Sequence, residues 1–192
     1  MTGRQVTEWS RPEFDSFLSV MVTVIIEGLS GQILMKLLDF LVPDAIVVDL
    51  QSQDKDGVVR EIVQSLQKAG AIAASDTDSV IKAILSREEL GSTGIGRGVA
   101  VPHTRHPSVD RLVACVAVSH KGVDFAALDD EPVYVFFLLI SPPNQPGPHL
   151  RALDNAARYM RDDDFVEDLR KVTKPAQVIE LIRRMDQQHA TA

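Results

Sequence analysis

The sequence holds a single cysteine, Cys115, so it can form neither an internal disulfide nor a cysteine-based zinc site. A secreted domain stapled by disulfides is thereby excluded, and a reducing cytoplasmic setting is the expectation. Aromatic residues make up only 5%, too few for a stacking platform along single-stranded nucleic acid. Basic residues are the minority. Lys and Arg number 20 against 27 Asp and Glu, and the formal charge of −7 argues against a surface built for nucleic-acid phosphates or anionic lipid. Long apolar runs are missing as well. The longest early run, Phe17 to Ile26, is broken by Ser19 and Thr23 and falls short of the roughly 20 residues that span a bilayer. No direct membrane insertion is expected. The residues before that run mix Arg4 and Arg11 with Glu8, Glu13 and Asp15, which gives no clear positive start or cleavage site for a signal peptide.

What is present suits one globular domain with an extension: 192 residues, 45% of them apolar. Residues 1–34, which hold Trp9, read either as a helix packed on the domain or a partner, or as sequence outside the natural mature protein. The second reading is preferred, because Met35 opens a fresh amphipathic segment, Met35 to Leu41, and would serve as a start. The domain is expected over 35–186, followed by a disordered polar tail over 187–192 that includes His189.

From Met35 onward helix and strand patterns alternate. Ala45 to Leu50 is short and β-branched and predicts a strand. Asp54 is placed to cap a helix with Val59, Ile62, Val63 and Leu66 on its apolar face, closed by Gly70. Asp76 or Asp78 caps the next, with Val80, Ile81, Ile84 and Leu85 inward. A glycine-rich loop, Gly91 to Gly98, then enters a brief strand, Val99 to Val101, stopped by Pro102. Leu112 to Val118 and Val133 to Ile140 are continuous apolar runs, the mark of strands buried on both faces. The proline-rich stretch Ser141 to Pro148 can be neither helix interior nor central strand. It leads into a helix expected to bury Leu150, Leu153, Ala157 and Met160, and two short helices follow around Phe165 and Val178. The pattern predicts a single α/β domain: a mixed β-sheet flanked by helices on both faces.

The glycine loop is not a nucleotide motif. It lacks the Gly-Lys-Ser/Thr ending of a Walker loop, and Gly94, Gly96 and Gly98 give G-x-G-x-G rather than G-x-G-x-x-G. It also follows a helix and enters a strand, the reverse of both nucleotide contexts. It reads first as a chain reversal needing positive φ, and second as a backbone rim beside an anion with Ser92 and Thr93 as hydroxyl donors. His103 follows Pro102 at the expected strand end, with Arg105 two residues on, a grouping that suits a phosphate or carboxylate. His149 follows Pro148 in the first turn of a helix, where an imidazole pKa is lowered and an anion is favoured; a solvent-facing or capping residue fits that position equally.

Other candidates read as bland. His103, His106 and Asp110 sit in a loop kinked by Pro102 and Pro107, not on one helix face, so no metal site is expected and no cofactor pattern remains. His120 reads as a turn residue and Cys115 as an inert buried thiol. Glu88 and Glu89 read as a solvated face at a helix end, and Arg87 as a surface charge able to turn toward the loop.

The run Ser86 to His103, SREELGSTGIGRGVAVPH, resembles the type-2 EIIA domain of the bacterial phosphoenolpyruvate-dependent sugar phosphotransferase system, the fructose, mannitol and nitrogen-regulatory type. The likeness continues through Val123 to Asp129, Val135 to Ile140 and His149-Leu150, and spans about Met35 to Met185. The resemblance implies a phosphoryl carrier. His103 matches the phosphorylated histidine, His149 the second active-site histidine and Arg87 the arginine near the phosphate; Ser92 and Thr93 fall in the matching loop. It implies phosphate received from an HPr-like carrier and passed to an EIIB domain for sugar uptake. In nitrogen-type relatives it implies instead a phosphorylation state that controls regulatory target proteins. Two departures stand out: Arg97, where an asparagine or acidic residue is commoner, and Thr104, in place of a frequent glycine.

Overall fold

In a computed structural model of the chain, the structure describes residues 35–190. The readings made of residues 1–34 and of Trp9 lie outside the described residues.

Helix α1 (Lys55–Lys68) starts where Asp54 accepts a bond from the Gly57 N–H at 2.9 Å, and ends before Gly70, whose φ of +73° turns the chain away. Helix α2 (Thr77–Glu89) has Asp76 as its N-cap residue, without a side-chain cap bond. A hairpin of β1 (Gly94–Gly96) and β2 (Val99–Ala100) follows, then β3 (His103–Arg105), β4 (Val113–Val123) and β5 (Val133–Ser141). The chain closes with α3 (Pro146–Tyr159), α4 (Asp163–Arg170) and α5 (Pro175–Ala190).

The sheet is mixed and β5 is its hub. It runs antiparallel to β4 on one side and parallel to β2 and β3 on the other. Val99 pairs with Val135, and His103 with Leu139. The two offsets are equal, so β2 and β3 form one strand line interrupted at Val101–Pro102. Pro102 ends β2, as expected, but does not turn the chain away from β5.

Alternation along β4 and β5 sends residues to two separate cores. Cys115, Ala117, Phe136, Leu138 and Ile140 pack under α1 and α2 with Val59, Ile62, Leu66, Val80 and Ile84. Val116, Val118, Val135, Phe137 and Leu139 pack under α3, α4 and α5 with Ala152, Ala156, Tyr159, Phe165, Leu169 and Val178. Helices therefore cover both faces, as the continuous apolar runs predicted.

Three expectations need correction. Ala45 to Leu50 is not a regular strand: residues 43–45 make a 3-10 turn, and the segment touches β4 through isolated bridges such as Val47 to Ala117. The buried face of α3 is His149, Ala152, Asn155, Ala156 and Tyr159, not the Leu150, Leu153 and Ala157 stripe; Leu150 is 65% exposed. The disordered tail expected over 187–192 is helical through Ala190, including His189, because α5 continues past its last core residue.

Candidate functional site

The site is built at the end of the parallel strand pair. His103 lies in β3 with the same parity as Val101, on the face covered by α3. α3 begins at Pro146, and its first turn presents His149. Proline suits that turn because its missing N–H has no intrahelical partner to lose. The two imidazole rings stand 5.6 Å apart at 55°. Arg87 from the last turn of α2 and Arg105 from β3 complete a cleft of about 670 Å³, closed by Thr104, Pro143, Pro146, Leu150 and Leu153.

Each ring is held by one nitrogen. His103 Nδ1 lies 2.8 Å from the Val101 carbonyl oxygen. A carbonyl can only accept, so Nδ1 carries the proton and Nε2 keeps its lone pair. His149 Nδ1 lies 2.7 Å from the Ser141 hydroxyl, which is fully buried at the end of β5. Burial lowers the His103 pKa below its ordinary value; the Val101 carbonyl opposes this, the Arg87 cation adds to it, and the Glu88 carboxylate opposes it. Burial, helped by His103 and Arg105, pushes His149 down to about 4. Both rings are therefore neutral near pH 7. The cleft holds an unprotonated nucleophilic nitrogen, a second neutral imidazole and two guanidinium groups, a set suited to a phosphoryl group in flight.

The structure brings together four of the residues singled out in the sequence: His103, His149, Arg87 and Arg105. It does not bring Ser92 and Thr93 with them. The Ser92 hydroxyl donates to the Phe125 carbonyl at 3.0 Å, and the Thr93 hydroxyl is bound to the Glu88 carboxylate. The loop is the chain reversal that its glycines suggested. A Cβ at Gly94 would come within 2.8 Å of the Ala127 backbone, and Gly96 and Gly98 have positive φ. Arg97, at φ +60°, pairs with Asp163 and does not line the cleft. Its backbone N–H and that of Glu131 hold the Asp129 carboxyl below the usual range.

Sequence reasoning missed two side chains. Ser141 orients His149; its signal was a lone hydroxyl ending an unbroken apolar run. Glu88, expected on a solvated helix end, is 6% exposed and paired with Lys55 of α1. Two further histidines do not line the cleft: His106 Nδ1 accepts the Ser108 N–H, and His120 is exposed on β4 rather than in a turn. Cys115 is fully buried, and burial pushes its thiol up to about 12, so it is not a nucleophile at neutral pH.

The sequence profile of the family described as phosphoenolpyruvate-dependent sugar phosphotransferase system, EIIA 2, matches residues 39–185. A nitrogen regulatory protein of Bradyrhizobium diazoefficiens is 33% identical over 145 residues, covering 76% of this chain and 92% of that protein. The fructose-specific EIIABC component of Bacillus subtilis is 30% identical over 152 residues, covering 79% of this chain and 24% of that longer protein. Among solved structures, the nitrogen regulatory protein IIA-Ntr of Neisseria meningitidis superposes with a TM-score of 0.68 at 30% identity, covering 75% of this chain and 97% of the other. The mannitol IIA of Escherichia coli, at 22% identity and a TM-score of 0.61, covering 72% of this chain and 96% of its own, shares the fold.

Proposed function

The chain belongs to the type-2 EIIA family of the phosphoenolpyruvate-dependent sugar phosphotransferase system, and from that premise we propose that it carries a phosphoryl group on His103 between two protein partners. The observation that carries this reading is the bond from His103 Nδ1 to the Val101 carbonyl, which leaves Nε2 free beside His149. In the proposed step the Nε2 lone pair attacks the phosphorus of a phosphohistidine on an HPr-like carrier. The new N–P bond forms as the donor's N–P bond breaks, and the donor imidazole leaves with the bonding pair. The His103 proton stays on Nδ1 throughout. Arg87 and Arg105 compensate the charge of the phosphoryl oxygens, and neutral His149, with Nδ1 accepting from the Ser141 hydroxyl, donates its Nε2–H to them. The group then passes to an EIIB domain for sugar uptake. The exposed Leu150 beside the cleft suits a protein partner that must approach closely enough for in-line transfer. In this role the protein is a transferase component acting in the cytoplasm.

A second destination is supported by the nitrogen regulatory relative, which the chain matches over 92% of its length. There the phosphorylation state of His103 governs binding to regulatory target proteins. The two destinations share the same chemistry. Incubation with phosphoenolpyruvate, enzyme I and HPr tests that chemistry. Mass spectrometry is expected to show one acid-labile, base-stable phosphoryl group on the wild type and none on His103→Ala. Labelling retained by His103→Ala would overturn the assignment. Pull-down with the phosphorylated and unphosphorylated forms then separates an EIIB acceptor from a state-selective target.

A further inference from the structure

Glu88 lies in the last turn of α2, where a carboxylate is disfavoured by the helix dipole, yet it is almost fully buried. Its carboxylate accepts the Thr93 N–H at 3.1 Å, the Thr93 hydroxyl, and Lys55 Nζ at 3.1 Å. Lys55 comes from α1 and also stands over the Phe125 ring at 4.6 Å. A buried ion pair is a poor source of stability, since apolar residues of the same volume often do as well. Its connections suggest another use. The Thr93 carbonyl accepts the Val101 N–H at 3.0 Å. Val101 sits at the break between β2 and β3, and its N–H reaches back to the loop instead of joining the ladder with β5. Its carbonyl is the group that holds His103 Nδ1 at 2.8 Å. A hydrogen-bonded path with no gap therefore runs from Lys55 to Glu88, Thr93, Val101 and His103.

Resting on the phosphoacceptor reading of His103, we propose that the buried Lys55–Glu88 pair positions the nucleophile, fixing through Thr93 the Val101 carbonyl that holds the proton on His103 Nδ1. Lys55 and Glu88 touch neither the phosphoryl group nor the reacting nitrogen; they act through Val101. The Glu88 charge also reaches His103 and favours its imidazolium. The charged and titratable groups facing His103 are Arg87 and Glu88 from α2, His149 from α3 and Arg105 from its own strand. Removing the Glu88 charge disfavours the imidazolium, whereas removing Lys55 reaches His103 only through Glu88, Thr93 and the Val101 carbonyl.

The test uses the full chain carrying Glu88→Gln or Lys55→Met. Ring nitrogen NMR across pH reports the His103 tautomer and titration midpoint, and HPr-dependent phosphorylation gives kcat and KM. In Glu88→Gln the midpoint is expected to fall and the Nδ1–H tautomer to lose its dominance. Its kcat should drop about tenfold, the size typical when the outer partner of a functional histidine is removed, with KM for phospho-HPr unchanged. In Lys55→Met the Nδ1–H tautomer is expected to lose its dominance as well, although Glu88 keeps its charge. Loss of the tautomer preference in both variants supports a positioning role. An unchanged tautomer in either variant, with only a lower melting temperature or a shifted midpoint, overturns it. If Glu88→Gln fails to fold, the tautomer in Lys55→Met decides alone. If wild-type protein takes no phosphate from HPr, the proposed function fails, while the NMR titration still decides the positioning role.

Discussion

Acidification should destabilise this protein largely through one side chain, His149. Its imidazole is 7% exposed, packed against His103 and bonded to the buried Ser141 hydroxyl. Burial first, then the charges of His103 and Arg105, lower its pKa from 6.5 to about 4. Between these values the unfolded chain binds a proton that the folded chain refuses, so stability falls as pH falls. The loss begins near the ordinary histidine value and levels off below the depressed one. At about 1.4 kcal/mol per pH unit the ceiling is about 3 kcal/mol, and screening through the open side of the cleft beside Arg105 reduces this to about 2. That is a large share of a typical stability of about 5–15 kcal/mol. The assay is urea denaturation of wild type and His149→Gln from about pH 7 down to about pH 4.5. Glutamine keeps a polar group near Ser141 and does not titrate. The stability of wild type relative to the variant should fall by about 2 kcal/mol over that range. Curves that run parallel would refute the reasoning, because they would show that His149 accepts its proton equally well folded and unfolded.

Ser141→Ala should leave the fold intact but strand His149 Nδ1 without its partner, costing about 1–2 kcal/mol and slowing phosphoryl transfer; wild-type transfer rates would show that the hydroxyl orients nothing of consequence. Cys115 should react with thiol reagents only as fast as the domain unfolds, so labelling that is quick in native buffer would contradict its burial. A chain starting at Met35 should unfold cooperatively and accept phosphate. Asn155 holds the Met35 carbonyl and Asp186 accepts the Leu37 N–H at 3.1 Å, so the domain is anchored from that residue onward. Loss of cooperative unfolding in that chain, followed by circular dichroism, would place essential contacts earlier.

The two sheet-core strands, α1 and the glycine reversal were legible because each depends on local pattern: β-branched apolar runs, an Asp cap, and positive-φ positions. His103, His149 and Arg87 were legible together through the ordered motif, and Arg105 through its place two residues after His103. What failed depended on distant partners. The buried state of Glu88 needs Lys55, 33 positions earlier. The rotation of α3 needs Asn155, a polar residue that is buried because the Met35 carbonyl lies 120 positions back to receive its amide. That rotation frees Leu150 from the core and sets it beside the cleft, while Leu153 lines the cleft and still packs against the core. Ser92 and Thr93 carry the right chemistry for a phosphate, but the Phe125 carbonyl and Glu88 already engage their hydroxyls.

The equal offset of β2 and β3 on β5 has a consequence for how the protein is made. His103 pairs with Leu139, a residue synthesised 36 positions later, and the ring beside it arrives later still with His149. A nascent chain that has not reached β5 carries the entire glycine hairpin and the proposed acceptor, yet has no strand to lay them on. Contacts this far apart in sequence also form slowly, after the β4–β5 hairpin has closed its own shorter loop. Competence to take phosphate should therefore arrive as a single late step in biogenesis, with no half-built form of the carrier available to intercept phosphate on the way.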